Sequence, residues 1–231
     1  MKTTPLPVRL LAAKSWPLLE NGDRMTQAEF HRRYEASPED AKFELVAGTV
    51  YKPARGRVSH SDLDVDLGWA LGMCGRATRG VEFLPRTTII LGEESEPEPD
   101  LTLRILPEYG GQSRSTADDY VAGPPELIGE IAYSRRSIDR HQKRVDYRRA
   151  GVVEYVVVCV EEREIHWFDF KVRRLIRPSV RGVYRSRIFP GLWIDGPALL
   201  GLKSQQVEKV AREGLASKEH AAFVKELQSR L

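Results

Sequence analysis

The sequence predicts an α/β protein of the mixed α+β kind: a mixed β-sheet flanked by α-helices, with a C-terminal helical tail. Three observations carry this. Helix and strand, then helix, three strands, helix and strand follow one another along the chain, the order of a mixed sheet with helices packed on it. Glu154 to Val160 is a β-branched run, continuous enough for a central strand buried on both faces. From Lys203 to Leu231 no proline interrupts a helical stretch with six basic and four acidic residues.

The first 25 residues read as an irregular arm. Pro5, Pro7 and Pro17 interrupt the apolar flavour of Met1 to Glu20, which suits neither a signal peptide nor a membrane span. Thr26-Gln27-Ala28-Glu29 is a capping box, and Phe30 and Tyr34 follow at helical spacing, so a helix should run from about Thr26 to Ala36. Phe43 to Tyr51 reads as two short strands hinged near Gly48. Ser59 can cap a longer helix that places Leu63, Leu67, Ala70, Leu71 and Cys74 on one face and ends between Gly75 and Gly80.

Val81 to Leu91 is strand-like, and Glu93 to Pro99 is an acidic, proline-bearing connector. Leu101 to Leu106 and Leu127 to Ala132 are further strands, separated by a Gly/Ser/Asp loop from Gly110 to Pro125. Ile138 to Ala150 should be a helix stopped by Gly151. Glu164 to Phe170 and Arg174 to Arg177 can form a meander with the Glu154 strand, and Phe189 to Trp193 is a turn leading into an extended segment. In the tail, Gly214 is a natural dividing point. Its apolar residues are irregularly spaced, which suits packing on the domain or on a second copy and argues against a coiled coil.

Apolar content of 41% and charged content of 30% over 231 residues fit a soluble globular chain with one core and a small appendage. The net charge of +3 permits nucleic-acid binding without arguing for it. Cys74 and Cys159 lie among apolar neighbours and read as buried free thiols of a reducing compartment, so a cytoplasmic location is expected, with no membrane contact. No Cys/His spacing suits a structural zinc site.

Two acids stand at the edges of apolar runs. If the strands Leu101 to Leu106 and Leu127 to Ala132 are neighbours, Asp100 and Glu130 converge at one end of the sheet. A carboxylate there asks for a partner or a metal, and Mg2+ favours one or two carboxylates with water and substrate phosphate. Two unrelated acids capped by solvent would have the same spacing. Lys143, with Asp139 and Tyr147 four residues to either side, can bring an ammonium to the site or form an ordinary surface pair with Asp139. Arg135 to Arg149 holds seven basic residues against two acidic ones, and Arg135, Arg136, Arg140, Arg144 and Arg148 form a face suited to a phosphate backbone.

Phe43-Glu44-Leu45-Val46-Ala47-Gly48, the helix after His60, Glu98-Pro99-Asp100-Leu101 and Glu130-Ile131-Ala132 occur in order. Asp139-x-x-x-Lys143-x-x-x-Tyr147, Ala150-Gly151-Val152-x-Glu154-Tyr155 and Phe189-Pro190-Gly191-Leu192 follow them. Over roughly Thr26 to Leu200 this set resembles the Uma-type restriction endonucleases, a branch of the PD-(D/E)XK nuclease superfamily. The resemblance implies a restriction-endonuclease-like nuclease domain over 26–200, between an arm (1–25) and a tail (201–231). It implies Asp100 and Glu130 as ligands of Mg2+ (or Mn2+), Glu44 as a further site acid, and His60 as a recurrent helix histidine near the site.

The superfamily places lysine two residues after the acid. Here that position is Ala132, and Lys143 is the candidate replacement, with Arg135 a second source of positive charge. The expected function is therefore a divalent-metal-dependent DNA endonuclease, with room for a homodimer because cutting two strands often uses two sites. The alternative is a decayed nuclease fold that binds nucleic acid without cutting it. A two-carboxylate glycosidase has only the acid pair behind it, and the basic helix suits neutral sugar poorly.

Overall fold

The computed structural model describes residues 17–38, 40–52, 58–133 and 139–231, with side chains at 58–61, 139 and 140 left out. In chain order the elements are α1 (Gln27–Glu35), β1 (Glu44–Val46), β2 (Thr49–Tyr51), α2 (Val58–Ala77), β3 (Val81–Pro85), β4 (Ile89–Ile90) and β5 (Leu101–Ile105). Next come β6 (Arg114–Ser115), β7 (Val121–Ala122), β8 (Leu127–Ala132), a π-helical turn (Asp139–Lys143) running into α3 (Arg144–Ala150), β9 (Glu154–Cys159), β10 (Glu164–Asp169) and β11 (Arg174–Ile176). The chain finishes with β12 (Val183–Arg185), β13 (Trp193–Asp195), α4 (Gly196–Leu200), α5 (Ser204–Leu215) and α6 (Lys218–Gln228).

Six strands form the main sheet in the order β11-β10-β9-β8-β5-β3. Only β8 and β9 in it are parallel, and a parallel pair needs a crossover, supplied here by the stretch ending in α3. That requirement sets α3 against the centre of the sheet. The α2 face buries Leu101, Leu103, Leu127, Ile131, Val156 and Val158, while the α3 face buries Ile128, Ala132, Tyr147, Tyr155, Val157 and Cys159. Strict alternation along β8 therefore turns Glu130, between Ile128 and Ala132, toward α3.

The Thr26 cap forms, its hydroxyl accepting from the Glu29 amide at 3.3 Å, and Phe30 stacks on Tyr34 at 5.3 Å. β1 and β2 make the expected hairpin, with Ala47 and Gly48 both at positive φ (49° and 75°), the backbone of a tight two-residue turn. Gly151 caps α3 at φ 102°. α2 carries the five expected residues into the core, although it already includes Val58, so Ser59 lies inside it. The Ser59 side chain lies outside the described residues.

Two local expectations change. Val81 to Leu91 is not one strand: Arg86, at φ 46°, breaks it, and β4 leaves to pair with β7 in a separate three-stranded sheet. The 110–125 loop thus contains two strands. Within the acidic connector Glu96 is buried and exchanges backbone hydrogen bonds with Leu45 at 2.8 and 3.2 Å, tying the β1 hairpin to the approach of β5.

Gly214 lies within α5 rather than dividing the tail, and the break falls at Ala216 and Ser217, whose hydroxyl caps α6. α5 and α6 bury Val207, Ala211, Phe223 and Leu227 in the same core as α2, and Thr78 meets His220 at 2.9 Å. Both cysteines are buried thiols outside any disulfide, and burial pushes Cys74 up to about 12. No described helix is long and apolar enough to cross a membrane.

Glu154 explains why two of the motifs occur together. Its buried carboxylate accepts from Trp167 Nε1 (2.9 Å), Ser186 Oγ (2.8 Å), and the amides of Arg187 (2.7 Å) and Ile188 (3.0 Å), clamping β9 to the Phe189-Pro190-Gly191-Leu192 turn. Replacing Glu154 by Leu strands four donors, those of Trp167 and Ser186 buried and the two amides partly so, and should cost about 3–5 kcal/mol in urea unfolding. Gly214→Ala should also destabilise. Helix propensity favours alanine by about 1 kcal/mol, but its Cβ would meet the Gly191 carbonyl oxygen and Trp193, and overpacking costs about 1–3 kcal/mol, so the net should be a loss of up to about 2 kcal/mol in the same assay.

Candidate active site

β5 and β8 are antiparallel neighbours, with Leu101 opposite Gly129, so Asp100 meets Glu130 at the end of that ladder. The Ile131 amide donates to Asp100 Oδ2 at 2.8 Å, and the Asp100 amide points at Glu130 Oε2 at 3.4 Å. Each acid is thus placed by the other's strand.

Glu130 is also gripped from the helix. Its Oε1 accepts from Lys143 Nζ at 3.0 Å and from Tyr147 OH at 2.8 Å. Lys143 reaches Glu44 Oε2 at 2.7 Å as well, with its side chain 4% exposed, so a buried ammonium bridges the β1 hairpin and the central strand. A π-helical turn (Asp139–Lys143) precedes α3, and Lys143, its last residue, and Tyr147 stand one α-turn apart on the side facing Glu130. Ala132, where the resemblance leads one to expect lysine, is buried in the core under α3. The ammonium of Lys143 from the helix lies instead against Glu130.

Three further residues at the site, Arg86, Asp64 and Tyr147, have no role assigned by sequence. Arg86, half exposed, places Nη2 2.7 Å from Asp64 Oδ2 on α2 and 3.9 Å from Asp100 Oδ1, and its amide donates to the Asp100 carbonyl at 3.0 Å. The Asp64 hydrogen bond is the main reason its basicity rises further. Nothing in Leu84-Pro85-Arg86-Thr87 signals the left-handed residue that turns Arg86 back to the site. Tyr147 was visible in a motif but had no role until its hydroxyl was placed on Glu130.

Among the described residues four carboxylates (Glu44, Asp64, Asp100, Glu130) and two cations (Lys143, Arg86) gather here. The oxygen-only donors of Asp100 and Glu130 are of the kind a hard divalent cation takes. Among the described residues no three His, Cys, Asp or Glu side chains form a ready-made metal cage, so any metal would complete its shell with water and substrate oxygens.

The remaining candidates divide. The side chains of His60, Arg135, Arg136 and Arg140 lie outside the described residues. Arg144 and Arg148 do not reach Glu130: they lie on the side of α3 toward β10, where the Arg144 guanidinium covers Phe168 at 5.1 Å. Glu126 is structural, accepting from the amides of Ile105 (2.7 Å) and Gln112 (3.2 Å).

A mixed sheet with helices on its faces and an acid pair at one ladder end is a restriction-endonuclease-like architecture. The same fold occurs in the crystal structure of "a putative nuclease belonging to DUF820" from Anabaena variabilis ATCC 29413. The TM-score is 0.59 and identity 14%, covering 77% of this chain and 98% of that one, a likeness of fold. The chain belongs to the Uma2 family, described as "Putative restriction endonuclease", whose model matches residues 27–197. A search of curated proteins gives no match.

Removing Lys143 leaves Glu44 and Glu130 facing each other without their shared cation. Lys143→Met should cost about 3–5 kcal/mol, against about 1.5–3 kcal/mol for Tyr147→Phe, which deletes one hydrogen bond to a charged group. Urea unfolding of the two variants checks the ranking.

Proposed function

We propose that this chain is a divalent-metal-dependent DNA endonuclease. The observation that supports it best is the Asp100–Glu130 pair, ordered by backbone amides and braced by Lys143 and Tyr147.

Asp100 and Glu130 would hold Mg2+, with Mn2+ a workable substitute. Bound there, the metal would supply polarisation of a phosphodiester oxygen and a more acidic attacking water. The protein's own contribution is orientation and charge. Tyr147 fixes the rotamer of Glu130, and the Ile131 amide fixes that of Asp100. Glu44 holds the Lys143 ammonium against Glu130, where it offsets charge that grows on the phosphoryl oxygens during attack. Arg86, steadied by Asp64, offers a cation to a backbone phosphate at the solvent-facing side of the site. Arg144 and Arg148, with Arg135, Arg136 and Arg140, would guide the strand on either side. His60 is assigned a place at the site by family resemblance alone.

A non-cutting nucleic-acid-binding module is the second reading, motivated by Ala132 at the usual lysine position. The bond from Lys143 to Glu130 favours the enzyme, because the missing charge is restored from the helix.

Incubation with plasmid and linear DNA in Mg2+ or Mn2+ should give nicked or cut products, abolished by EDTA. Asp100→Asn and Glu130→Gln should each lower the rate by at least about 100-fold, and Lys143→Met by about 100-fold. Activity equal to wild type in both acid variants would overturn the assignment. Metal-independent, salt-sensitive binding with no cleavage of any substrate would favour the second reading.

A further inference from the structure

On the other side of α3 lies a cleft that the hydrolytic site does not use. It has a volume of about 300 Å³ and sits between α3 and the β10–β11 hairpin. Phe168 and Phe170, both half-buried, form its floor, and Arg144, Arg148, Arg173 and Arg174 rim it. The apolar side chains of Val145 and Leu175 are 52% and 40% exposed on its walls. Among the described residues its one acid, Asp169, is buried and engaged by Arg187 at 3.2 Å.

We propose that this cleft binds an unpaired nucleotide of single-stranded DNA, its base stacked in the cleft and its flanking phosphates held by the arginines.

The chemistry is that of a single-strand site, not of a duplex track. A duplex backbone is met by exposed cations on an open surface and needs no aromatic floor. Single strands are held by basic grooves with aromatic side chains on which bases stack, a mode tolerant of sequence. All the cations here are arginines, whose planar heads pair with phosphate in bidentate fashion and stack on rings. Arg144 already lies over Phe168, so a base can continue the pile on the guanidinium plane. The volume is at the small end of ligand sites, too little for a base pair with its two backbones.

Position gives the cleft its consequence. In the strand register Glu130 is opposite Val157, and Val157 opposite His166, on the same face as Phe168. Phe168 is therefore two strands across and two residues along from Glu130, roughly 10 Å and 7 Å respectively. Lys143 and Tyr147 serve the acid pair from one stripe of the helix, while Arg144 and Arg148 serve the cleft from the next. A strand seated in the cleft would pass the acid pair within a short run of nucleotides. Binding stands apart from the nuclease reading. The preference it implies, for DNA with an unpaired stretch beside the cut, rests on that reading.

The test is fluorescence anisotropy in EDTA, comparing a labelled oligo-dT with a blunt duplex of equal length. Wild type should favour oligo-dT. Phe168→Leu should weaken oligo-dT binding about tenfold. Because that side chain also packs on the core, an exposed pair provides a second arm. Arg173→Ala combined with Arg174→Ala should lower the slope of log affinity against log salt by about 1.4, the loss expected for two single-strand phosphate contacts. Wild-type affinity and slope in both variants would overturn the proposal. So would displacement of oligo-dT by polyglutamate as readily as by unlabelled DNA, which would mark a patch selective only for negative charge. The two readings fail separately. Loss of binding in these variants without any DNA cleavage retires the nuclease alone, and cleavage with unaltered binding retires the cleft alone.

Discussion

The Glu130 carboxylate is the constraint on which the arrangement depends. It projects from the buried central region of a sheet, where an isolated charge is costly, and it is tolerated because Lys143 and Tyr147 meet it from the helix that the β8–β9 crossover must supply. The same ammonium secures Glu44 and with it the β1 hairpin, which is pinned in turn to the connector that delivers Asp100. Removing the bridge would leave Glu44 and Glu130 without their shared ammonium, while backbone ladders still hold the hairpin, connector and strands. A buried ion pair of this kind contributes little net stability compared with an apolar core.

Much of this was legible because the relevant residues sit in strongly patterned segments. The runs beginning at Leu101 and Leu127 can only be strands, so Asp100 and Glu130 had to lie near strand ends. The Val-rich run after Glu154 could only be central. Lys143 could be assigned to the helix following Glu130, and a helix on a sheet can return a long side chain to it.

What stayed hidden depended on tertiary detail with no local signature. Arg86 reaches the site because one residue in a β-rich run adopts a left-handed conformation, which no arginine announces. The π-helical turn before α3 has no compositional mark. Gly214 looked like a helix breaker, yet it is glycine because the Gly191 carbonyl passes beside it. Glu154 looked like one motif acid among others, and only the fold shows it to be a clamp for the Phe189 turn. The helix between Lys143 and Arg148 thus presents side chains in two directions, one toward the acid pair and one toward the cleft.

The most direct measurement of the central claim is the anomalous diffraction of a crystal soaked with Mn2+. The account predicts a manganese peak in contact with both the Asp100 and Glu130 carboxylates, with the Lys143 ammonium still on Glu130. Manganese bound elsewhere, with these two acids bare at saturating Mn2+, would contradict it.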